Sequence, residues 1–569
     1  MKRVLGYLKP QIGTMTLQFA IKFVGTIVEL FLPWMLSVIL DRAVPSGQLS
    51  QIFLWGGLMI ASSTTALVCN IVANRMSTRI SRNFTMVLRH DLFDKVTRLS
   101  CKDSDRFGTP SLISRLTSDT YNVHNLVDRM QRLGIRAPII LLGGIIMTLS
   151  LEPVLTLALL GTLPLLAWIV WYVSKKGIGL YAKTQEASDA MVRKIQENMT
   201  GVRVIKALSK TEFEQSRFDE VNRLSAERER KAGNLVALTN PLMNLLLNIG
   251  LTLVIVIGAF RVHSGLTLPG TIIAFLSYFT MILNALMMIS RIFMLISKGA
   301  ASAERIEEVL DAPDPLAMEA TDHETTDAMV EFRHVSFSYN KIHDDLQDIS
   351  FSLRRGETLG IIGPTGSGKT TIVSLLLRFY DPDSGEIRIA GNRLSGIPSE
   401  VLHGRFGVVF QNDFLFADTI RENIDFGRGL DRETLERAAK TAQADFIVGK
   451  EGGLEHPLSV KGANLSGGQK QRILIARALA AHPDLLLLDD CSSALDYKTD
   501  AAFRRALRRE YGETTSIIVT QRVSTIKNAD LILFLNEGKI LGMGTHRQLL
   551  ASCDSYREIY EVQMGVKSK

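Results

Sequence analysis

Apolar residues crowd the first half of the chain, in stretches that run approximately over 14–40, 52–73, 137–151, 154–173, 235–260 and 271–297. Most approach the ~20 residues that a helix needs to cross a bilayer. Residues 137–173 carry a single charged side chain, Glu152, directly before Pro153. Neither residue suits the middle of a continuous membrane helix, so this stretch reads as two spans joined by a short hairpin. Six spans are predicted. From Gln51 to Lys102 there is no proline, and Gly56 and Gly57 are the only glycines. That segment predicts one helix about 75 Å long at ~1.5 Å per residue. A hydrocarbon core is only ~30 Å thick, so the helix must project well beyond the membrane. Between Pro164 and Pro241 the pattern repeats.

The later patterning is different. Residues 311–328 are acidic and proline-bearing and read as a linker. Beyond them, short apolar runs such as Thr358-Leu-Gly-Ile-Ile and Leu485-Leu-Leu-Leu-Asp489 predict buried strands. The expected organisation is an all-α six-span membrane domain over 1–310, with long helical extensions beyond the membrane, and an α/β domain over 329–569.

Charge orients the membrane domain. Twelve Lys and Arg residues fall within 75–136, and 175–231 is similarly rich. The expected outside loops near 41–50, 151–153 and 261–270 carry Arg42, none and Arg261. The positive-inside rule therefore predicts cytoplasmic termini and a cytoplasmic second domain. The net charge of +7 follows from that bias, which leaves nucleic-acid binding a weak reading. A mean hydropathy of +0.15 with 46% apolar residues argues against a wholly soluble protein. Cys69, Cys101, Cys491 and Cys553 have no paired spacing for a metal or a disulfide framework.

The candidate chemistry begins at Gly363-Pro-Thr-Gly-Ser-Gly-Lys369-Thr370, a glycine loop between a predicted strand and a predicted helix. Glycines in this pattern let backbone N–H groups close on phosphates at a helix N-terminus; Lys369 reaches the β- and γ-phosphates, and the Thr370 hydroxyl takes a place on Mg²⁺. Thr365, Gly366, Ser367, Gly368 and Thr371 complete this phosphate-binding set. A second motif, Leu465-Ser466-Gly467-Gly468-Gln469, follows about a hundred residues later.

Together the two motifs resemble those of the ATP-binding cassette (ABC) family, which implies that 329–569 is an α/β P-loop nucleotide-binding domain with an α-helical signature subdomain and that the helical extensions of the membrane domain are cytoplasmic. The resemblance implies roles for further residues. Tyr339 matches the aromatic on which adenine stacks. Gln411 matches the glutamine that reaches Mg²⁺, and Asp489 the carboxylate that holds Mg²⁺ through water. Ser493-Ala-Leu-Asp496 matches a loop that crosses a dimer interface, and the 465–469 signature is expected to face a partner's ATP. The membrane domain resembles that of ABC exporters, whose cytoplasmic extensions end in short coupling helices. These are expected near Cys101–Phe107 and Leu208–Phe213.

Three departures from the family pattern stand out. The glutamate that activates the attacking water is replaced by Asp490, whose carboxylate is set back by about 1 Å; a misplacement of that size costs on the order of 10²-fold in rate. The histidine that contacts the γ-phosphate is replaced by Gln521, which donates a hydrogen bond but carries no charge. Val460 stands where exporters carry a glutamate before the signature, which bears on a cassette-to-helix contact and not on catalysis.

With Lys369, Thr370, Gln411 and Asp489 intact, this pattern implies a site that binds ATP and hydrolyses it slowly. The expected partner is a second ABC half-transporter, giving a heterodimeric multidrug-type exporter in a bacterial inner membrane. The expected cargo is a hydrophobic or amphipathic small molecule, or a lipid. Two other readings stay open: a homodimeric lipid or peptide exporter with slow ATPase, and an ATP-gated channel or sensor. Glu29, in the first span, is a candidate for a substrate cavity; pairing with a basic group such as Arg291 is the plainer account. Lys22, seven residues earlier, is expected to snorkel to the cytoplasmic interface.

Overall fold

Leu49–Thr97 forms one uninterrupted helix of 49 residues, as its freedom from proline requires. The computed structural model describes residues 1–313, 323–491 and 493–565, apart from some side chains within 158–182, 236–240 and 290–294. The chain divides into two units. One comprises Met1–Thr97 with Phe107–Ala312; the other comprises Arg98–Arg106 with Pro313–Lys569.

The first unit is helical. Its main elements are α1 (Ile12–Val38), α2 (Leu49–Thr97), α4 (Thr120–Leu151), α5 (Pro153–Thr200), α6 (Val202–Ala207), α7 (Thr211–Ala237), α8 (Thr239–His263) and α9 (Pro269–Leu310); α3 (Cys101–Phe107) follows α2 in the chain but, apart from Phe107, belongs to the second unit. Among the described residues five helical runs are long and apolar enough to cross a membrane: Lys2–Ala43, Leu49–Thr97, Thr109–Leu151, Pro241–His263 and Pro269–Ile289. The sixth expected span, 154–173, lies in α5 and includes undescribed side chains. The predicted hairpin is present: α4 stops at Leu151, Glu152 is extended (φ −155°, ψ 95°), and Pro153 opens α5. Glu152 is paired with Arg261 at 2.7 Å. Asp41 caps the start of α9, accepting from Gly270 N (2.6 Å) and Thr271 Oγ1 (3.0 Å).

Three expectations for this unit need correction. The first short helix falls at Cys101–Phe107, but the second is Val202–Ala207 and not 208–213. Gly201 ends α5 early, and Leu208–Lys210 forms the turn into α7, with Ser209 in a left-handed conformation (φ 52°). Lys22 does not snorkel. It is 3% exposed, and its Nζ donates to Asn70 Oδ1 (2.7 Å) and Asn74 Oδ1 (3.2 Å) on α2. Glu29 pairs with Arg136 of α4, Nη2 to Oε1 2.7 Å; the Arg291 side chain lies outside the described residues.

The second unit carries two sheets. β1 (Ala328–Phe337), β2 (Leu346–Arg354), β4 (Ser384–Ile389) and β5 (Asn392–Arg393) form an antiparallel sheet in the order β2-β1-β4-β5. The other contains β3 (Thr358–Ile362), β6 (Phe406–Val409), β7 (Leu485–Asp489), β8 (Thr515–Thr520), β9 (Leu531–Asn536) and β10 (Lys539–Gly544), in the order β10-β9-β3-β8-β7-β6. Its central strands are parallel, with Ile362 beside Thr520 and Asp489 beside Val519. Their apolar runs are buried on both faces, as parallel strands require. This register brings the carboxyl ends of β3, β8 and β7 together, where ligands bind in open parallel sheets. Of the expected 311–328 linker, 314–322 lie outside the described residues, and Ala328 already belongs to β1.

Candidate nucleotide site

The glycine loop leaves β3 and opens α10 (Lys369–Leu376). Gly366 (φ 82°) and Gly368 (φ 94°) hold conformations that side-chain-bearing residues rarely adopt. A Cβ on Gly368 would meet Leu346 Cδ2 at 2.6 Å and the Asp345 carbonyl at 2.8 Å. The loop therefore turns tightly, and the first-turn N–H groups of α10, which have no intrahelical acceptors, are available to an anion.

These elements surround a cavity of about 270 Å³. Thr365, Gly366, Gly368, Lys369, Thr370 and Thr371 line it from the loop side, Gln411 from the segment after β6, and Asp489, Asp490 and Gln521 from the ends of β7 and β8. Gly363 and Ser367 stand behind this lining. The Lys369 ammonium donates to the carbonyls of Gly363 (2.9 Å) and Pro364 (2.5 Å), and lies 3.3 Å from Ser367 Oγ. Burial pulls Lys369 below the ordinary lysine range, against the opposing pull of Asp489 and Asp490.

Asp489 is 2% exposed and accepts from Thr370 Oγ1 at 3.1 Å. Burial pushes its carboxyl above the ordinary range and the charge of Asp490 adds to that, while the Thr370 hydrogen bond and Lys369 oppose it. Asp490 turns off the strand end in a left-handed conformation (φ 49°), its N–H donating to the Val519 carbonyl (2.9 Å). Burial raises it too, opposed by Arg522 and Lys369. A hydroxyl, an amide oxygen and a buried carboxylate at one wall are the oxygen donors that Mg²⁺ prefers. The Lys369 ammonium and the N-terminus of α10 beside them suit a polyphosphate. The residues present fit Mg-ATP.

Tyr339 lies outside this lining, 48% exposed, with its ring edge-on to Phe337 (4.8 Å between centroids) and Tyr380 (5.0 Å). Its backbone N–H donates to Asp345 Oδ2 (2.9 Å), which ties it to a residue of the cavity wall. Sequence reasoning missed Asp345, which belongs to none of the motifs.

The signature residues do not line this cavity. Ser466 caps α11 (Gly467–Ala480) in a capping box with Gln469, and Leu465 is buried beneath it. Gly467 and Gly468 therefore begin a helix whose N-terminus serves no phosphate in this chain's own cavity. Asp496 caps α12 (Tyr497–Glu510), accepting from the N–H groups of Lys498 (3.1 Å) and Thr499 (2.9 Å). Ser493 Oγ donates to the Asp490 carbonyl at 2.9 Å.

A helical domain with membrane-spanning segments, followed on one chain by a P-loop cassette, defines a membrane transporter driven by nucleotide hydrolysis. Residues 15–286 match the ABC transporter transmembrane region, and residues 346–493 match the ABC transporter family. ABC transporter ATP-binding protein YfiB of Bacillus subtilis is 35% identical over 568 residues, covering 99% of each chain. Rv1273c of Mycobacterium tuberculosis is 34% identical over 560 residues, covering 97% of this chain and 96% of that one. The solved structure of a bacterial Atm1-family ABC exporter with ATP bound shares the fold, with a TM-score of 0.84 over 99% of both chains at 24% identity. The chain belongs to the ABC transporter family. It is an ATPase that couples ATP, with Mg²⁺, to transport.

Proposed function

We propose that this chain is the slow-site subunit of a heterodimeric ABC exporter. One observation carries the reading: Asp490 and Gln521, the two positions that depart from the water-handling pattern, line the same cavity as Lys369, Thr370 and Asp489. The binding half of the machinery is complete. Lys369 and the loop N–H groups hold the phosphates, and Thr370, Gln411 and Asp489 hold Mg²⁺, which screens phosphate charge when bound. Gly363, Thr365, Gly366, Ser367, Gly368 and Thr371 shape the loop, and Tyr339 offers an adenine a half-exposed ring.

The hydrolysing half is weakened. Asp490 is short by one methylene, so a water held at its carboxylate sits further from the terminal phosphate. Gln521 supplies a neutral donor where charge develops. Losing one such electrostatic contact costs on the order of 10²–10³ in rate. The signature at Leu465–Gln469 is intact and does not line this chain's own cavity, which supports a role at a partner's ATP, with the 493–496 loop at the joint between cassettes.

Lys and Arg placement supports a cytoplasmic cassette in a bacterial inner membrane. The cargo is a hydrophobic or amphipathic molecule, drug or lipid. Glu29 gives no support to a preference for cations, because Arg136 already neutralises it. Purified chain without a partner should bind Mg-ATP yet turn over far below the 1–10 s⁻¹ ordinary for enzymes. Turnover within that range would refute the slow-site reading.

A further inference from the structure

The end of the cassette reaches back to the nucleotide cleft. The helix α14 (Asp554–Met564) is firmly docked: Tyr556 is fully buried, its ring edge-on to Phe534 at 6.1 Å between centroids, and its hydroxyl lies 2.8 Å from His546 Nδ1. Two turns beyond that anchor, Gln563 meets the segment joining β8 to α13 (Val523–Ile526). Its Nε2 donates to the Gln521 carbonyl over 2.7 Å, and its Oε1 accepts from the Val523 N–H over 2.8 Å. One carboxamide thus pairs with a backbone acceptor and a backbone donor two residues apart, as an adjacent strand would. Only one orientation of the amide satisfies both bonds. On the strand side, the Arg522 N–H donates to Thr520 Oγ1 over 3.1 Å. The backbone of 521–523 is therefore gripped from two sides. The clasped residue, Gln521, lines the nucleotide cavity, and together with Asp490 it also lines a second cavity of about 600 Å³, where Gln563 forms part of the wall.

We propose that Gln563 is a positioning residue for hydrolysis: through its carboxamide, the C-terminal helix fixes the backbone of Gln521–Val523 and with it the approach of the residue-521 side chain to the terminal phosphate and the attacking water. The inference rests on the reading that Gln521 faces that phosphate. The chemical logic is geometric. Gln563 touches no reacting atom, but without it the Gln521 carbonyl and the Val523 N–H lose these partners, and the segment keeps the Thr520 hydroxyl, the Thr525 and Lys527 N–H groups on the Arg522 and Val523 carbonyls, and the Arg522–Ser493 contact. Hydrolysis is sensitive to shifts of that kind, whereas phosphate binding by the glycine loop is not, because β3 and α10 hold that loop independently.

The test uses the full chain in lipid nanodiscs with two substitutions. Gln563→Leu keeps the bulk and removes both bonds; Gln563→Glu keeps the acceptor for Val523 and sets a carboxylate oxygen against the Gln521 carbonyl. Amide exchange is read over 521–526 against the core strand 531–536, together with single-turnover hydrolysis of radiolabelled Mg-ATP and its Kd. Gln563→Leu should speed exchange over 521–526 about tenfold and slow hydrolysis about tenfold, as a sub-ångström loosening predicts, with Kd changed less than about twofold. Gln563→Glu should fall between Gln563→Leu and the unmodified chain. Unchanged hydrolysis, or a loss of affinity that matches the loss of rate, would overturn the proposal. The slow-site reading fails separately, if Asp490→Glu with Gln521→His leaves hydrolysis unchanged; Gln563→Leu in that doubly substituted background is then scored by the same two criteria.

Discussion

Thr370 Oγ1 donates a 3.1 Å hydrogen bond to Asp489 Oδ2, joining the first turn of α10 to the end of β7. Two expected Mg²⁺ ligands, 119 residues apart in the chain, thus meet at one wall of the cavity. The contact is the smallest unit of this site, and it has a measurable electrostatic consequence.

Asp489 is buried with a neutral hydrogen-bond donor, and its carboxyl is held above the ordinary range. A carboxyl raised on folding contributes stability while it is protonated, in full below its unfolded value, and that contribution is lost as pH rises through the folded value. Ionised Asp489 therefore opposes folding of the ligand-free cassette at neutral pH. Asp489→Asn should raise the ligand-free thermal midpoint at pH 8 by about 2–4 °C, corresponding to about 1 kcal/mol in a domain of this size. The gain should fade towards pH 4, and stabilisation by Mg-ATP should be lost. Thermal scans at the two pH values decide this, and a less stable Asp489→Asn protein at pH 8 would count against it.

Asp490 and Gln521 line one cavity, and on the proposed reading they act on one water, so restoring them should be non-additive. Asp490→Glu together with Gln521→His should raise single-turnover hydrolysis at this site by on the order of 10-fold or more, and by a factor different from the product of the single substitutions. Rates for the four proteins form the cycle. An additive pair would mean that the two positions do not share a water.

The cassette was legible because its chemistry sits in short loops of fixed spacing: the loop at 363–370, the signature at 465–469, and the carboxylates at 489–490 all occupy the strand ends and helix starts that their patterns require. What the chain hid was contact between distant segments. The Glu29–Arg136 pair depends on how α1 packs against α4, 107 residues away, and no local pattern encodes that. Lys22 looked like a residue bound for the interface until Asn70 and Asn74 met it from α2. The second short helix was displaced by six residues because the break at Gly201 was overlooked, although a glycine after a long helix is an ordinary stop signal. Gln563 belongs to no motif; only the docking of α14 brings it to residue 521.

The central claim is that this chain's two nucleotide-facing surfaces serve different sites, one slow and one competent. Steady-state ATPase of the assembled transporter, with one substitution at a time in this chain, tests it most directly. Lys369→Ala removes a phosphate contact from the slow site, so hydrolysis should fall only partly. Gly468→Asp puts a carboxylate at the N-terminus of α11, where a Cβ would already crowd the Ala494 carbonyl at 3.1 Å, and sets it against a partner's γ-phosphate. Like-charge repulsion in a poorly screened pocket should nearly abolish hydrolysis. If the two variants fall alike, this chain works as a homodimer with equivalent sites; if Lys369→Ala is the more damaging, the slow and competent sites are assigned the wrong way round. Either result contradicts the account.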